Sequence, residues 1–182
     1  DVGDTFNNGN ARVDAVKYDA AGALSEVLVD GDADAAFATA VDAAWDSFTG
    51  GQTIVDDAAY AFVAKRQPDG SLDPAFGTGG VVLFQSMAGC EPDVADAVYS
   101  LAVGSDGSVY AGGQACANPP AGGADALVLK LDASGRQVYA DSYSSGNGNT
   151  EQVTGIATDS AGNAYAADSN YQFASILKYD PA

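Results

Sequence analysis

Along this chain short apolar stretches alternate with polar turns at strand spacing, and one such stretch comes back four times. It reads AVKYDAAG, FVAKRQPDG, LVLKLDASG and SILKYDPA, carrying Lys17, Lys65, Lys130 and Lys178, the four lysines of the sequence. Ala15, Val63, Val128 and Ile176 lie two residues before these lysines, and Val16, Ala64, Leu129 and Leu177 lie one before. Side chains of a strand alternate with period two, so a segment apolar on both faces belongs between two layers. A second element repeats without a gap: TAVDAAWDSFTGG (Thr39 to Gly51), LAVGSDGSVYAGG (Leu101 to Gly113) and IATDSAGNAYAAD (Ile156 to Asp168). Each reads strand, polar turn, strand, and Phe48, Tyr110 and Tyr165 share one position.

The combined unit is four short strands: A and B form the hairpin, C carries the lysine, and D follows its turn. The turns DAAG, PDG, SDG, DASG and DSAG supply the Asp and Gly that close tight connections. An all-β fold follows. Alanine is dense enough from Ala33 to Ala44 for a helix, yet the alignment with the other hairpins places strand A there. Packing successive four-stranded antiparallel blades face to face, as in a β-propeller, gives strand C its two apolar faces. Ala61, Ala126 and Ala174, four residues before the later lysines, suit a crowded inner ring.

The expected order is C and D, then A to D twice, then A, B and C: 13 strands, or 14 if Asp1 to Asn8 adds one. This makes about three and a half blades in one repeat-built domain, with units near 1–30, 31–85, 86–145 and 146–182. Either the sequence is a fragment of a longer propeller, or the missing strands come from neighbouring subunits, since a stack with open edges invites completion by strands from other chains.

Composition narrows the partners. With 25 Asp and Glu against 7 Lys and Arg, the formal charge is -18. Such a field repels phosphate backbones and anionic membranes. No apolar run is long enough to span a bilayer, so no membrane insertion is expected. Scarce lysine, abundant Asp, Gly, Ser and Asn, and two cysteines fit an extracellular or cell-surface setting, although salt adaptation gives a similar bias. With no histidine in the sequence, Ser-His-Asp nucleophiles and His-ligated metals are excluded. A carboxylate pair could still hydrolyse glycosides, but none stands out, and no catalytic residue is assigned.

The stretch Asp125 to Asp168 (DALVLKLDASGRQVYADSYSSGNGNTEQVTGIATDSAGNAYAAD) resembles a bacterial SBBP repeat, the seven-bladed β-propeller type. DGSLDPAFGTGGVV (Asp69 to Val82) is similar to the LDxxFGxGG signature of delta-type repeats in bacterial secreted proteins. The resemblance implies a propeller blade of a surface or secreted protein and brings no catalytic residues.

Several residues remain as candidates. Asp19, Asp132 and Asp180 stand two after Lys17, Lys130 and Lys178, which points to lysine stems covering apolar surface, with each ammonium paired to a carboxylate or to carbonyls, rather than to a cationic ring facing a channel. Asp30, Asp32 and Asp34 alternate like the first half of a calcium loop, but the glycine and distal Glu of that motif are missing. They read as a calcium site or as a solvated acidic loop. Trp45 replaces the turn residues Gly107 and Gly162. It either folds back over a blade, the expected conformation, or stands out as a contact for glycan or protein. Tyr99, Tyr110, Tyr139, Tyr143 and Tyr165 are expected in the packing between blades. Cys90 and Cys116 flank one hairpin and suit a disulfide, with two free thiols as the alternative. The function expected is a non-catalytic extracellular assembly protein of a surface layer, sheath, filament or adhesin that self-associates through open edges. The alternative is a loop-presenting glycan- or protein-binding module.

Overall fold

The computed structural model describes residues 35–56, 58–87, 95–116, 123–146, 149–169 and 174–181 in full, and the backbone of 13–18 and 24–30. The described residues are all-β. The strands are β1 (Val13–Tyr18), β2 (Leu24–Asp30), β3 (Ala35–Val41), β4 (Ser47–Val55), β5 (Ala58–Arg66), β6 (Val81–Phe84), β7 (Ala97–Val103), β8 (Val109–Cys116), β9 (Ala124–Leu131), β10 (Gln137–Tyr143), β11 (Gln152–Thr158), β12 (Ala164–Ser169) and β13 (Ala174–Tyr179). They form four antiparallel meanders: β1-β2, β3-β4-β5-β6, β7-β8-β9-β10 and β11-β12-β13. The strand order is the one expected from the repeats; a strand within Asp1 to Asn8 lies outside the described residues.

Equivalence between blades extends to irregularities. The register of each A–B hairpin slips at the same place, between Ala36 and Ala38, Val98 and Ser100, and Val153 and Gly155. A bulge of this kind adds one residue to one strand and reverses the alternation of faces beyond it. Val98 therefore points the same way as Leu101 and Val103, toward the preceding blade.

Strand β7 runs against β3, β4 and β5, and β11 runs against β7, β8 and β9. β7 and β11 thus each lie on the strands of the blade before them. One core joins Phe48, Ala61, Val63 and Phe76 to Val98, Val109, Ala111, Leu129 and Leu131. A second joins Ala126 and Val128 to Val153 and Ala166. Alternate residues of β9 enter different cores, which is why strand C is apolar on both faces. Burying a Val, Leu or Phe side chain contributes roughly 1.5–3 kcal/mol.

A glycine in strand B makes room for this packing. A Cβ on Gly50 would stand 2.6 Å from Cγ1 of Val98, and one on Gly112 would stand 2.4 Å from Cγ1 of Val153. The long β5–β6 connection also enters the core. Phe76 is fully buried and meets Phe48 edge to face, with centroids 5.9 Å apart. The Gly77 N–H donates to the Ser134 carbonyl in the turn of the next blade (2.8 Å). The glycines and Phe of this delta-like stretch therefore do structural work between blades.

Candidate functional site

Strand β12 has two different faces. Ala164, Ala166 and Asp168 are buried toward the preceding blade, whereas Tyr165, Ala167 and Ser169 point away from it. In the two preceding blades the corresponding outward face is covered by the next blade. Tyr165 is 38 % exposed, while its counterparts Phe48 and Tyr110 are 2 % and 1 % exposed. Ile176 is 68 % exposed, against 1 % for both Val63 and Val128. Ala157 and Lys178 extend the exposed surface. Strand β13 pairs with β12 alone among the described residues, whereas β5 and β9 also carry β6 and β10. Among the described residues, nothing pairs with the far edge of β13 or covers this apolar face.

The described lysines have structural partners. The Lys65 amine contacts Asp46 (2.9 Å) and Asp73 (2.8 Å) and lies 5.8 Å from the Phe48 ring centroid. Burial pulls its pKa down, but the hydrogen bonds and charges of the two aspartates outweigh this and hold it above its ordinary value. Asp73 is pushed down, first by the Lys65 hydrogen bond and then by the Ala75 N–H. Lys130 is buried, donates to the Pro181 carbonyl of the next blade (2.8 Å) and lies over Tyr110 at 5.2 Å. Its ammonium thus pairs with a carbonyl, one of the two kinds of partner expected, and not with Asp132. Asp132 instead accepts from Arg136 Nε at 3.0 Å and from Ser134 within its own turn. Spacing along a strand did not reveal a partner contributed by another blade. Lys178 does meet Asp180, at 2.9 Å. Neither the Lys17 side chain nor Asp19 lies among the described residues.

Trp45 does not fold back: it is 74 % exposed. Its φ of +67° matches the conformations of Gly107 and Gly162, at +81° and +83°. Asp42 closes this turn by accepting from the N–H groups of Ala44 and Asp46. The tyrosines divide. Tyr110 is buried and donates to the Gly162 carbonyl of the next blade (3.0 Å), and Tyr139 stacks on Tyr179 at 5.8 Å. Burial raises the Tyr139 hydroxyl to about 12. Tyr99 meets the Phe37 ring at 5.3 Å. Tyr143 and Tyr165 are exposed instead of packed between blades.

Asp32 and Asp34 lie outside the described residues, as does the side chain of Asp30, which closes β2. Among the described residues no group of three acidic or cysteine side chains is placed to hold a metal. Cys90 also lies outside them; Cys116 ends β8, buried, with its N–H donating to Asp96 (3.0 Å).

Sequence reading missed the buried acids that tie down the loops entering strand A. Asp96, 1 % exposed, accepts from the Ser86 N–H (2.7 Å) and hydroxyl (2.6 Å). Glu151 occupies the equivalent position and accepts from the N–H and hydroxyl of Ser145. Their matching places two residues before Val98 and Val153 were the available signal.

No protein-family model and no curated protein matches the chain. The surfaces that these residues build are apolar and acidic. They offer contact area and hydrogen-bonding groups, and the described residues bring no set of reactive groups together.

Proposed function

We propose that this chain is a non-catalytic, extracellular assembly protein that associates with its own kind through the open side of its last blade. The observation supporting this most strongly is the exposure of Tyr165 and Ile176 at positions buried twice over elsewhere in the repeat. An apolar face of this kind marks an interaction surface. The unpaired β13 edge adds backbone groups able to extend a sheet. The resemblance to repeats of bacterial surface and secreted proteins points the same way, as does the suited spacing of Cys90 and Cys116 for a disulfide. Light scattering and electron microscopy of the intact protein test the reading. Particles larger than one chain are expected, and a monodisperse monomer at all concentrations would sink it.

A second reading is supported by Trp45, an amphipathic aromatic held at a turn tip. Under it the chain displays this residue to glycan or protein. Because Trp45 is the single tryptophan, its emission reports on contact directly. An unchanged spectrum during titration with neutral and acidic oligosaccharides would remove the glycan form of this reading.

A further inference from the structure

Two acids are buried on one face of the last blade. Val153 of β11 pairs with Asp168 of β12, and Asp168 pairs with Ser175 of β13. Directly opposed residues share a face, and Glu151, two before Val153, joins them. Glu151 and Asp168 are 1 % and 5 % exposed, on the side where Val153 and Ala166 pack against Ala126 and Val128 of the preceding blade. A diagonal pair of this kind stands about 7–8 Å apart at the backbone, within reach of long side chains. The preceding blade has one acid here and satisfies it: Asp96, the counterpart of Glu151, accepts from the N–H and hydroxyl of Ser86 and from the N–H of Cys116. The counterparts of Asp168 are Gly113 and Gly51, where a Cβ would overlap the carbonyl oxygens of Ala97 and Ala35. The last blade thus accommodates a carboxylate where the other two leave no room for a methyl.

Glu151 accepts from the N–H (2.8 Å) and hydroxyl of Ser145, and one oxygen of Asp168 accepts from the Ser175 hydroxyl (3.0 Å). The other oxygen, Oδ1, is buried and has no hydrogen-bond partner. Among the described residues, Glu151 is the charged group that acts on Asp168, and its sign is the same. Lys65, Lys130, Arg136 and Lys178 are engaged elsewhere, with Asp46 and Asp73, Pro181, Asp132 and Asp180. A buried carboxylate with a bare oxygen beside a second carboxylate calls for a positive counter-charge. We propose that Glu151 and Asp168 bind one calcium ion between them, with the free oxygen of Asp168 as the anchoring ligand. Calcium takes hard oxygen ligands in flexible geometry, roughly six to eight of them at about 2.3–2.6 Å, so two carboxylates anchor it while carbonyls and waters complete the shell. Magnesium demands a tighter octahedron and gives up its waters reluctantly, which suits a buried site less well. The Ser145 and Ser175 hydroxyls orient the two carboxylates. The site faces the preceding blade and stands apart from self-association; the ion fastens the loop entering β11 to β12.

Isothermal titration of the intact, EDTA-stripped chain with calcium chloride, together with thermal melts, tests this assignment. Calcium should bind the wild type and raise its melting midpoint, and Asp168→Asn should weaken that binding by roughly tenfold or more. In EDTA the Asn variant should melt above the wild type, since a neutral amide needs no counter-charge, and saturating calcium should reverse the order. Asp168→Gly, the residue of the other two blades, is a second variant that should lose the binding in the same way. The double substitution Asp30→Asn, Asp32→Asn should leave the Asp168-dependent binding in place. Calcium binding that survives both Asp168 variants at wild-type affinity and disappears in the double substitution places the ion in the acidic loop and overturns the proposal. A wild type whose midpoint ignores calcium overturns it as well, because a proton alone then answers the buried charge. So does an equal rise in sodium chloride of the same ionic strength, which would mean that calcium only screens the formal charge of -18.

Discussion

At Trp45 a bulky side chain stands in left-handed backbone at φ +67°, a conformation its counterparts reach as glycine. A residue with a Cβ is disfavoured there by roughly 1–2 kcal/mol, and glycine's greater entropy in the unfolded chain returns part of that difference. With the ring 74 % exposed, little packing compensates. Trp45→Gly is therefore expected to raise stability by about 0.5–1 kcal/mol, read as a higher urea midpoint. A lower midpoint would mean that the ring packs in solution. Asp168 makes the opposite kind of local compromise. It is 5 % exposed, and one carboxylate oxygen has no hydrogen-bond partner. Burial raises its pKa, the Ser175 hydroxyl opposes the shift, and the charge of Glu151 adds to it. Because the folded value lies above the ordinary 3.8, the favourable contribution belongs to the protonated acid and is lost as pH rises through the folded pKa. Asp168→Asn should stabilise the protein at pH 7 by about 1 kcal/mol, with the difference from wild type shrinking toward pH 3.5. Paired urea melts at the two pH values measure it, and a gain that does not vary with pH would contradict the assignment.

The elements were legible wherever the repeat supplied a template. Strand C was recognisable from its two apolar faces, and gapless alignment of the hairpins located strand A in spite of its alanines. The position of Trp45 in its turn was equally clear from Gly107 and Gly162, but its exposure depends on surroundings that alignment does not specify. The β5–β6 connection was less readable. Asp73 finds Lys65 across a loop without strand periodicity, and Phe76 reaches a core formed jointly with the next blade. That Lys130 would meet a carboxylate or a carbonyl was readable, but which one was not, since its acceptor at Pro181 lies 51 residues away. The glycine–valine contact can be tested through coupling. Gly50→Ala places a methyl 2.6 Å from Val98 Cγ1 and 3.2 Å from Leu101 Cδ1. It should cost about 1–3 kcal/mol by overpacking. Val98→Ala, which empties the same site, should cost about 2 kcal/mol. Together they should cost less than the sum by roughly 1 kcal/mol or more, because each relieves the defect of the other. Strict additivity in denaturant unfolding would show that the two positions do not share a site.

For the whole molecule, the open face must be considered together with the formal charge of -18. Two such chains repel over a distance that shrinks from about 30 Å at 0.01 M salt to about 8 Å at 0.15 M. The proposed contact is mainly apolar at Tyr165, Ala167 and Ile176, while the nearby Lys178 is already matched by Asp180. Salt therefore screens the repulsion with little attraction across the contact to weaken. Self-association should strengthen as sodium chloride rises from 0.01 M to 0.15 M, seen as a larger sedimentation coefficient at fixed protein concentration. The variant Ile176→Arg should show no such rise, because screening cannot restore a blocked apolar contact. The opposite trend, in which added salt disperses the particles, would place a charged contact at the interface and rule out the apolar blade-on-blade seating.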